Sequence, residues 1–244
     1  MIRVAVAGAQ GRMGSEAVKA VTEADGMEIV AQIEVGDDLT AKLKESQAQV
    51  LIDFTVPASA MGNIRTALNN GVVPVVGTTG ITPADLEELK ALSEQTGTAC
   101  FIAPNFAIGA VLMMQFSAQA AKHLPDVEII ELHHEKKVDA PSGTAVKTAQ
   151  MIAAVRTGKS APKPENAFES HTGATGGTVD GIQVHSVRLP GYVASQEVIF
   201  GAPGQRLTIR HDSSDRASFM PGVVLAVRHA TSLSGLVYGL EHLL

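Results

Sequence analysis

Between residues 131 and 145 the chain reads ELHHEKKVDAPSGTA. Two histidines, two lysines and two acids stand within residues 133–139, and a Pro-Ser-Gly-Thr turn follows them. A histidine, with an unperturbed pKa of about 6.5, can hold or release a proton near neutrality, whereas a lysine at about 10.4 stays charged unless desolvated. The preceding VEIIEL reads as a strand that delivers His133 and His134 at its end, and Ser142 stands where it would cap the helix that follows. The N–H groups of Gly143 and Thr144 would then face the same mouth as the histidines. A helix N-terminus flanked by His and Lys is a receptor for a carboxylate, and a proton donor beside it suits acid chemistry. The plainer alternative is a solvated basic turn whose histidines bond loop carbonyls. No metal site is expected, because adjacent histidines on a strand face opposite ways and no Cys or carboxylate stands at ligand spacing.

A second constellation lies at the start of the chain. Gly8, Gly11 and Gly14 punctuate GAQGRMG, between the apolar run IRVAVA and the helical pattern of Ala17, Val18 and Val21. Glycines there let the backbone approach a pyrophosphate while the helix N-terminus offers N–H groups to it. The spacing is G-x-x-G-x-x-G rather than G-x-G-x-x-G, so an ordinary glycine-rich turn is the competing reading; the position between strand and helix favours a nucleotide. The strand MEIVAQIE ends at Glu34, about where an acid binds the adenosine ribose, although a solvated strand-end acid would look the same.

These residues need a frame. QVLIDFT, VVPVVGTTG and TACFIAPNF read as three further buried strands, with helical patterns such as PADLEELKALSEQTG between them. Such alternation predicts a parallel, doubly wound sheet whose ligand sits at the carboxyl ends of the strands, here Asp53 to Thr55, Gly77 to Gly80 and Ala103 to Phe106. After Asn105 the character changes. A Met- and Phe-containing helix, read as core packing, leads to the VEIIEL strand and the PSGTAVKTAQMIAAV helix, then to a loop over roughly 157–181. IQVHSVRL, YVASQEVIF and QRLTIRH, joined by PG and GAPG turns, predict an antiparallel meander over residues 182–211. An uncovered face of that meander would be an association surface. FMPGVVLAVRHA is helical again, so the chain crosses between modules near Phe106 and near Arg216, which predicts a hinge.

With 45% hydrophobic residues, 18% charged and no low-complexity tract, the 244 residues are globular. The net charge of −6 argues against a general nucleic-acid surface, so an anionic ligand must be met locally. Cys100 is the sole cysteine, which excludes an intrachain disulfide and fits a buried thiol in a reducing compartment. MIRVAVAG is interrupted by glycine too early for a signal peptide, and no apolar run reaches about 18 residues. The expectation is a cytoplasmic protein with no membrane association.

In order, VAVAGAQGRMG, IDFT, VVGTTG, APNFAIG, ELHHEKKVDAPSGTA and IRHDSSDRASF resemble the motifs of the dihydrodipicolinate reductase family, nearly end to end. The H-H-x-x-K-x-D-A-P-S-G-T run is the most specific of them. The resemblance implies reduction of a cyclic imine dicarboxylate to tetrahydrodipicolinate by a nicotinamide cofactor, in lysine and diaminopimelate biosynthesis. It implies His133 as the catalytic acid and Lys137 as a second proton donor, with His134, Gly143 and Thr144 on the substrate. Gly8, Ala9, Gln10, Gly11, Arg12, Met13, Gly77, Thr78, Thr79, Ala103, Pro104, Asn105 and Phe106 match the family's cofactor segments, to which Glu34 is added from its place at the strand end. Family members that grip the NADPH phosphate often carry Arg after that acid, where this chain has Val35. With Arg12 remaining in the glycine loop, dual use of NADH and NADPH is expected, NADH being at least as good.

The expected fold class is α/β, a Rossmann-type parallel-sheet domain plus a smaller α+β domain with a mixed or antiparallel sheet. Residues 1–105 and 217–244 would form the dinucleotide-binding domain, and 106–216 the substrate-binding and oligomerisation domain, with the resemblance implying a homotetramer. Two other readings share much of the first half: another two-domain NAD(P)-dependent oxidoreductase of amino-acid metabolism, and a non-catalytic dinucleotide sensor. The 133–144 cluster discriminates against both.

Overall fold

The computed structural model describes residues 1–158 and 165–244; residues 159–164, within the loop expected over 157–181, lie outside the described residues. The chain starts with β1 (Ile2–Ala7), α1 (Gly14–Glu23), β2 (Met27–Ile33), α2 (Leu39–Ser46), β3 (Val50–Asp53), α3 (Pro57–Asn69), β4 (Val73–Val76), α4 (Pro83–Thr96) and β5 (Cys100–Ile102). It continues with α5 (Ile108–Ala121), β6 (Asp126–His133), α6 (Gly143–Val155), β7 (Gly177–Val179), β8 (Ile182–Arg188), β9 (Ala194–Ala202) and β10 (Gln205–Ser213). It closes with α7 (Met220–Ala230) and β11 (Leu236–Tyr238). Two compact units result, Met1–Ile108 with Arg216–Leu244, and Gly109–Asp215.

In the first unit six strands run parallel in the order β11-β5-β4-β3-β1-β2. Every residue of β3, β4 and β5 is buried, so these strands are continuous apolar runs, as expected where helices cover both faces. One layer packs Ala5, Ala7 and Leu51 with Leu43 of α2 and Ala67 of α3, and α1 packs against α7. Local signals set the helix ends: Thr82 and Asp85 form a reciprocal capping box at α4, Pro83 opens it, and Gly97 closes it in the left-handed region. Strand order reverses at β1, which has β2 on one side and β3 on the other. That reversal opens the crevice in which an open α/β sheet takes its ligand.

The second unit holds a mixed five-stranded sheet, β10-β9-β6-β8-β7. The meander expected over 182–211 is not formed. β9 and β10 do pair antiparallel, but β8 and β9 are not neighbours, because β6 lies between them, parallel to β8 and antiparallel to β9. The cause is the long connection between β6 and β8, which carries α6 and then β7: it crosses over before the β7–β8 hairpin sets β8 down parallel to β6. The expected loop also ends in a strand, β7, turned onto β8 by Asp180 and Gly181, both with positive φ. Alternation on β6 buries Val127, Ile129 and Glu131 on the face that α6 covers, beside Val184 and Val198, and leaves Glu128 exposed and Ile130 and Leu132 half-buried on the other. The register lines up Ser186, Glu131, Gln196 and His211 across four strands, a polar row on the covered face.

Candidate active site

The glycine loop forms one wall of a cavity of about 630 Å³ at the carboxyl ends of β1 to β4. Gly8, Gly11, Arg12, Met13, Glu34, Gly77, Thr78 and Thr79 line it, as do Val35, Asp37, Phe54, Thr55 and Asn63. Gly8 has φ +73°, and a Cβ there would stand 2.5 Å from the Phe54 carbonyl oxygen, so the loop folds back onto the end of β3 only with glycine. No side chain caps α1, which leaves its N-terminus to an external anion. These features suit the pyrophosphate and adenosine half of a dinucleotide. Glu34 accepts from the Gln10 backbone N–H at 2.6 Å while its own N–H donates to Asp37 at 2.8 Å, and Val35 projects fully exposed. The rim that would face an adenosine ribose therefore carries two acids and one arginine.

The buried Asp53 organises this wall. Its carboxylate accepts from the Thr55 N–H at 3.0 Å, the Thr55 hydroxyl at 2.7 Å, the Thr78 hydroxyl at 2.6 Å and the Asn63 amide at 2.8 Å. One carboxylate thus ties the loops after β3 and β4 together. Among the sequence candidates, Ala9, Gln10, Ala103, Pro104, Asn105 and Phe106 do not line the cavity. Ala103 and Phe106 are core residues, the latter edge-on to Phe54 at 5.9 Å between centroids, and Asn105 accepts from the Ala107 N–H. Cys100 is buried too, and desolvation pushes its thiol up to about 12, so it is unreactive.

In the second unit β6 ends at His133, and the turn after it carries His134 and Lys137 to the N-terminus of α6. Ser142 caps that helix by accepting from the Ala145 N–H; Gly143 is exposed and Thr144 half-buried in its first turn. His133 and Glu131 lie two apart on one face of the strand, and Nδ1 of His133 stands 2.5 Å from the Glu131 carboxylate. Arg188, register partner of His133 on β8, forks onto Glu131 at 2.7 and 2.9 Å, and the Ser142 N–H adds a bond at 3.2 Å. Burial alone would push the Glu131 carboxyl up, but hydrogen bonds from His133, Arg188 and Ser186 and the charge of His133 outweigh it and hold the group at about 2. A second bond from Arg188 reaches the Asp139 carbonyl at 2.7 Å, and Lys137 pairs with the Asp139 carboxylate at 2.6 Å, lowering that acid's pKa.

His133 and Lys137 thus sit at two ends of one hydrogen-bonded chain, His133–Glu131–Arg188–Asp139–Lys137. His134 stands apart from that chain; its Nδ1 accepts from the Lys136 N–H. Sequence reasoning gave no role to Glu131, Arg188 or Asp139, and it placed Asp53 only at a strand end where ligand binds, not as the group that ties the loops together. The available signal was positional: Arg188 ends its strand as His133 ends β6. Among the described residues no group of three or more His, Cys, Asp or Glu is arranged to hold a metal ion, and no helix is long and apolar enough to cross a membrane.

A parallel sheet with a glycine-loop crevice, joined to a mixed-sheet unit with an acid–base cluster, defines a two-unit dinucleotide-binding protein of the α/β class. Family models described as dihydrodipicolinate reductase, N-terminus, and dihydrodipicolinate reductase, C-terminus, match residues 2–106 and 109–244. The 4-hydroxy-tetrahydrodipicolinate reductase of Desulfitobacterium hafniense is 50% identical over 100% of this chain and 98% of its own length. That of Streptococcus gordonii is 53% identical, covering 100% and 99%. A dipicolinate-bound dihydrodipicolinate reductase from Paenisporosarcina sp. TG-14 superposes with a TM-score of 0.90 at 43% identity, covering 100% of both chains. The chain belongs to the dihydrodipicolinate reductase family, and so to the nicotinamide-dependent oxidoreductases of lysine and diaminopimelate biosynthesis.

Proposed function

We propose that this protein reduces dihydrodipicolinate, formed from 4-hydroxy-tetrahydrodipicolinate, to tetrahydrodipicolinate. The observation that carries the reading is that the family match spans both units, one with the glycine cradle and the other with the His133 cluster. When bound, the reduced nicotinamide supplies a hydride to the conjugated ring. Residues 1–105 and 217–244 hold the cofactor by Gly8 to Met13, Gly77 to Thr79 and the acids at the end of β2, and 106–216 hold the dicarboxylate. His134 and the first-turn N–H groups of Gly143 and Thr144 receive a substrate carboxylate. Lys137 exchanges its exposed partner Asp139 for the incoming anion, since an exposed ion pair is worth only about 0–1 kcal/mol. His133 then protonates the enamine left by hydride addition.

Both cofactors serve, NADH at least as well as NADPH. The Glu34 carboxylate can accept from ribose hydroxyls but repels the extra phosphate, and among the described residues Arg12 is the one cation lining the cavity to oppose it. The chain assembles as a homotetramer in the cytoplasm, through the face of the second sheet that exposes Glu128 with Ile130 and Leu132. The reaction is tested by a coupled assay in which purified synthase supplies the substrate and loss of nicotinamide absorbance is followed with each reduced cofactor. General acid catalysis contributes about 100- to 10,000-fold, so His133→Ala should lower turnover within that range with cofactor affinity unchanged; full activity would sink the assignment.

A further inference from the structure

The cluster holds a carboxylate that no step above uses. Glu131 is fully buried on the central strand of its sheet, and both of its oxygens are engaged: Oε2 with His133 Nδ1 and one Arg188 nitrogen, Oε1 with the other Arg188 nitrogen and the Ser142 N–H. Its place is therefore set from three directions, by β8, by the cap of α6 and, through Arg188 and the Asp139 carbonyl, by the turn that carries Lys137. A buried carboxylate so fixed can only accept, so the ring nitrogen facing it must donate.

We infer that Glu131 is the positioning residue of the proton-donating histidine, holding the Nδ1–H of His133 so that Nε2 carries and delivers the proton. This rests on His133 being the acid, as proposed above. In the step, the Nε2–H bond breaks as the enamine carbon gains its proton, and the imidazolium becomes the neutral Nδ1–H imidazole. Nε2 then takes a proton from water. Glu131 and Arg188 together are neutral, so Arg188 keeps the carboxylate compensated while the ring is uncharged, and Glu131 stabilises the ring while it is charged. The charged groups bonded into the cluster around His133 are Glu131 on β6, Arg188 on β8 and Lys137 and Asp139 on the turn, which also carries the titratable His134 and the exposed Glu135 and Lys136. Asp126 and Glu128 on β6 and Glu197 on β9 lie further along their strands. β9 places the uncharged Ala194 opposite it, and the first turn of α6 brings no charged side chain.

The test compares wild type, His133→Ala, Glu131→Gln and the double variant in the coupled assay across pH. Glu131→Gln should lower kcat at least about tenfold, the lower bound seen for carboxylate partners that orient a metal-ligating histidine, with KM for the dicarboxylate nearly unchanged. Because loss of the anion disfavours the imidazolium, the alkaline limb of kcat should move to lower pH. The double variant should be no slower than His133→Ala alone. Full activity in His133→Ala overturns the acid assignment and this inference with it. Loss in His133→Ala with kcat and the alkaline limb retained in Glu131→Gln overturns this inference alone. Should Glu131→Gln not fold, imidazole nitrogen NMR of the wild-type protein decides: a proton on Nδ1 with Nε2 titrating supports it, and a neutral Nε2–H tautomer overturns it.

Discussion

Gly14 is the third glycine of the loop, and its role is separable from the others. It opens α1, fully buried, and a Cβ there would stand 1.9 Å from the Gly8 carbonyl oxygen, 2.7 Å from the Gly8 carbonyl carbon and 2.9 Å from the Ala9 Cα. All three are backbone atoms, so no side chain can rotate away. Relief to the roughly 3.0 Å below which real Cβ contacts essentially do not occur requires α1 to retreat from the loop by about 1 Å. Overpacking of this kind costs about 1–3 kcal/mol, and in a chain of this size each kcal/mol lowers Tm by about 2–4 °C. Gly14→Ala should therefore lower Tm by roughly 2–12 °C and weaken dinucleotide binding, because the helix N-terminus moves with the loop. Gly36→Ala serves as the contrast: its backbone is strained for alanine at φ +99°, but nothing lies within 4 Å of the new methyl. Differential scanning calorimetry and fluorescence titration with NADH measure both quantities. A Gly14→Ala protein with wild-type Tm and wild-type NADH affinity would refute the argument that backbone approach, rather than loop flexibility, requires glycine there.

Catalytic efficiencies should show NADH at least as good as NADPH, and Val35→Arg should favour NADPH by about ten- to a hundredfold, the worth of one charge-assisted bond; a wild-type preference for NADPH above about tenfold contradicts the role given to Glu34. Static light scattering at micromolar concentration should report a tetramer, and a stable monomer would remove the association face on β6. Glu131 is held at about 2 against its ordinary 4.5, so the unfolded chain binds the more protons between those values. The stabilisation, on the order of 3 kcal/mol, is present above about pH 4.5 and lost as pH falls towards 2. Denaturant titrations should therefore find the stability gap between wild type and Glu131→Gln smaller at pH 3 than at pH 7; an equal gap would mean that the carboxylate is not the source.

The first unit was legible because its signals are local. Buried parallel strands are continuous apolar runs, and VLID, VPVV and CFI announce themselves without reference to their neighbours. Ser142 as cap and the strand end at His133 were equally local. Sheet order in the second unit was not, because which strand lies beside β9 is decided by the long connection through α6 and β7. β11 and β7 span three residues each, too short for a period to register, although the Asp180-Gly181 pair does carry a hairpin signal of its own. Glu131 interrupts an apolar alternation at a position that reads as a defect, and it gains meaning only when Arg188, 57 residues later, reaches it. Ala103 and Phe106, expected at a strand end beside the crevice, are buried, and the ring of Phe106 packs edge-on to Phe54, so their side chains serve the core and only their backbone is left to face a ligand.

The edge of the first sheet has a consequence in time. β5 is covered on its open side by β11, which the ribosome makes about 130 residues later. At about 5–20 residues per second, a nascent chain holds its first five strands for on the order of ten seconds with Cys100, Phe101 and Ile102 presenting an unpaired apolar edge. Throughout that interval any exposed strand of a neighbouring nascent chain is a competitor for the place of β11. Yield of native protein should therefore depend on how densely ribosomes load its message, and a chain cut short before Leu236 should accumulate as aggregate even though every residue of the cofactor cavity has already been made.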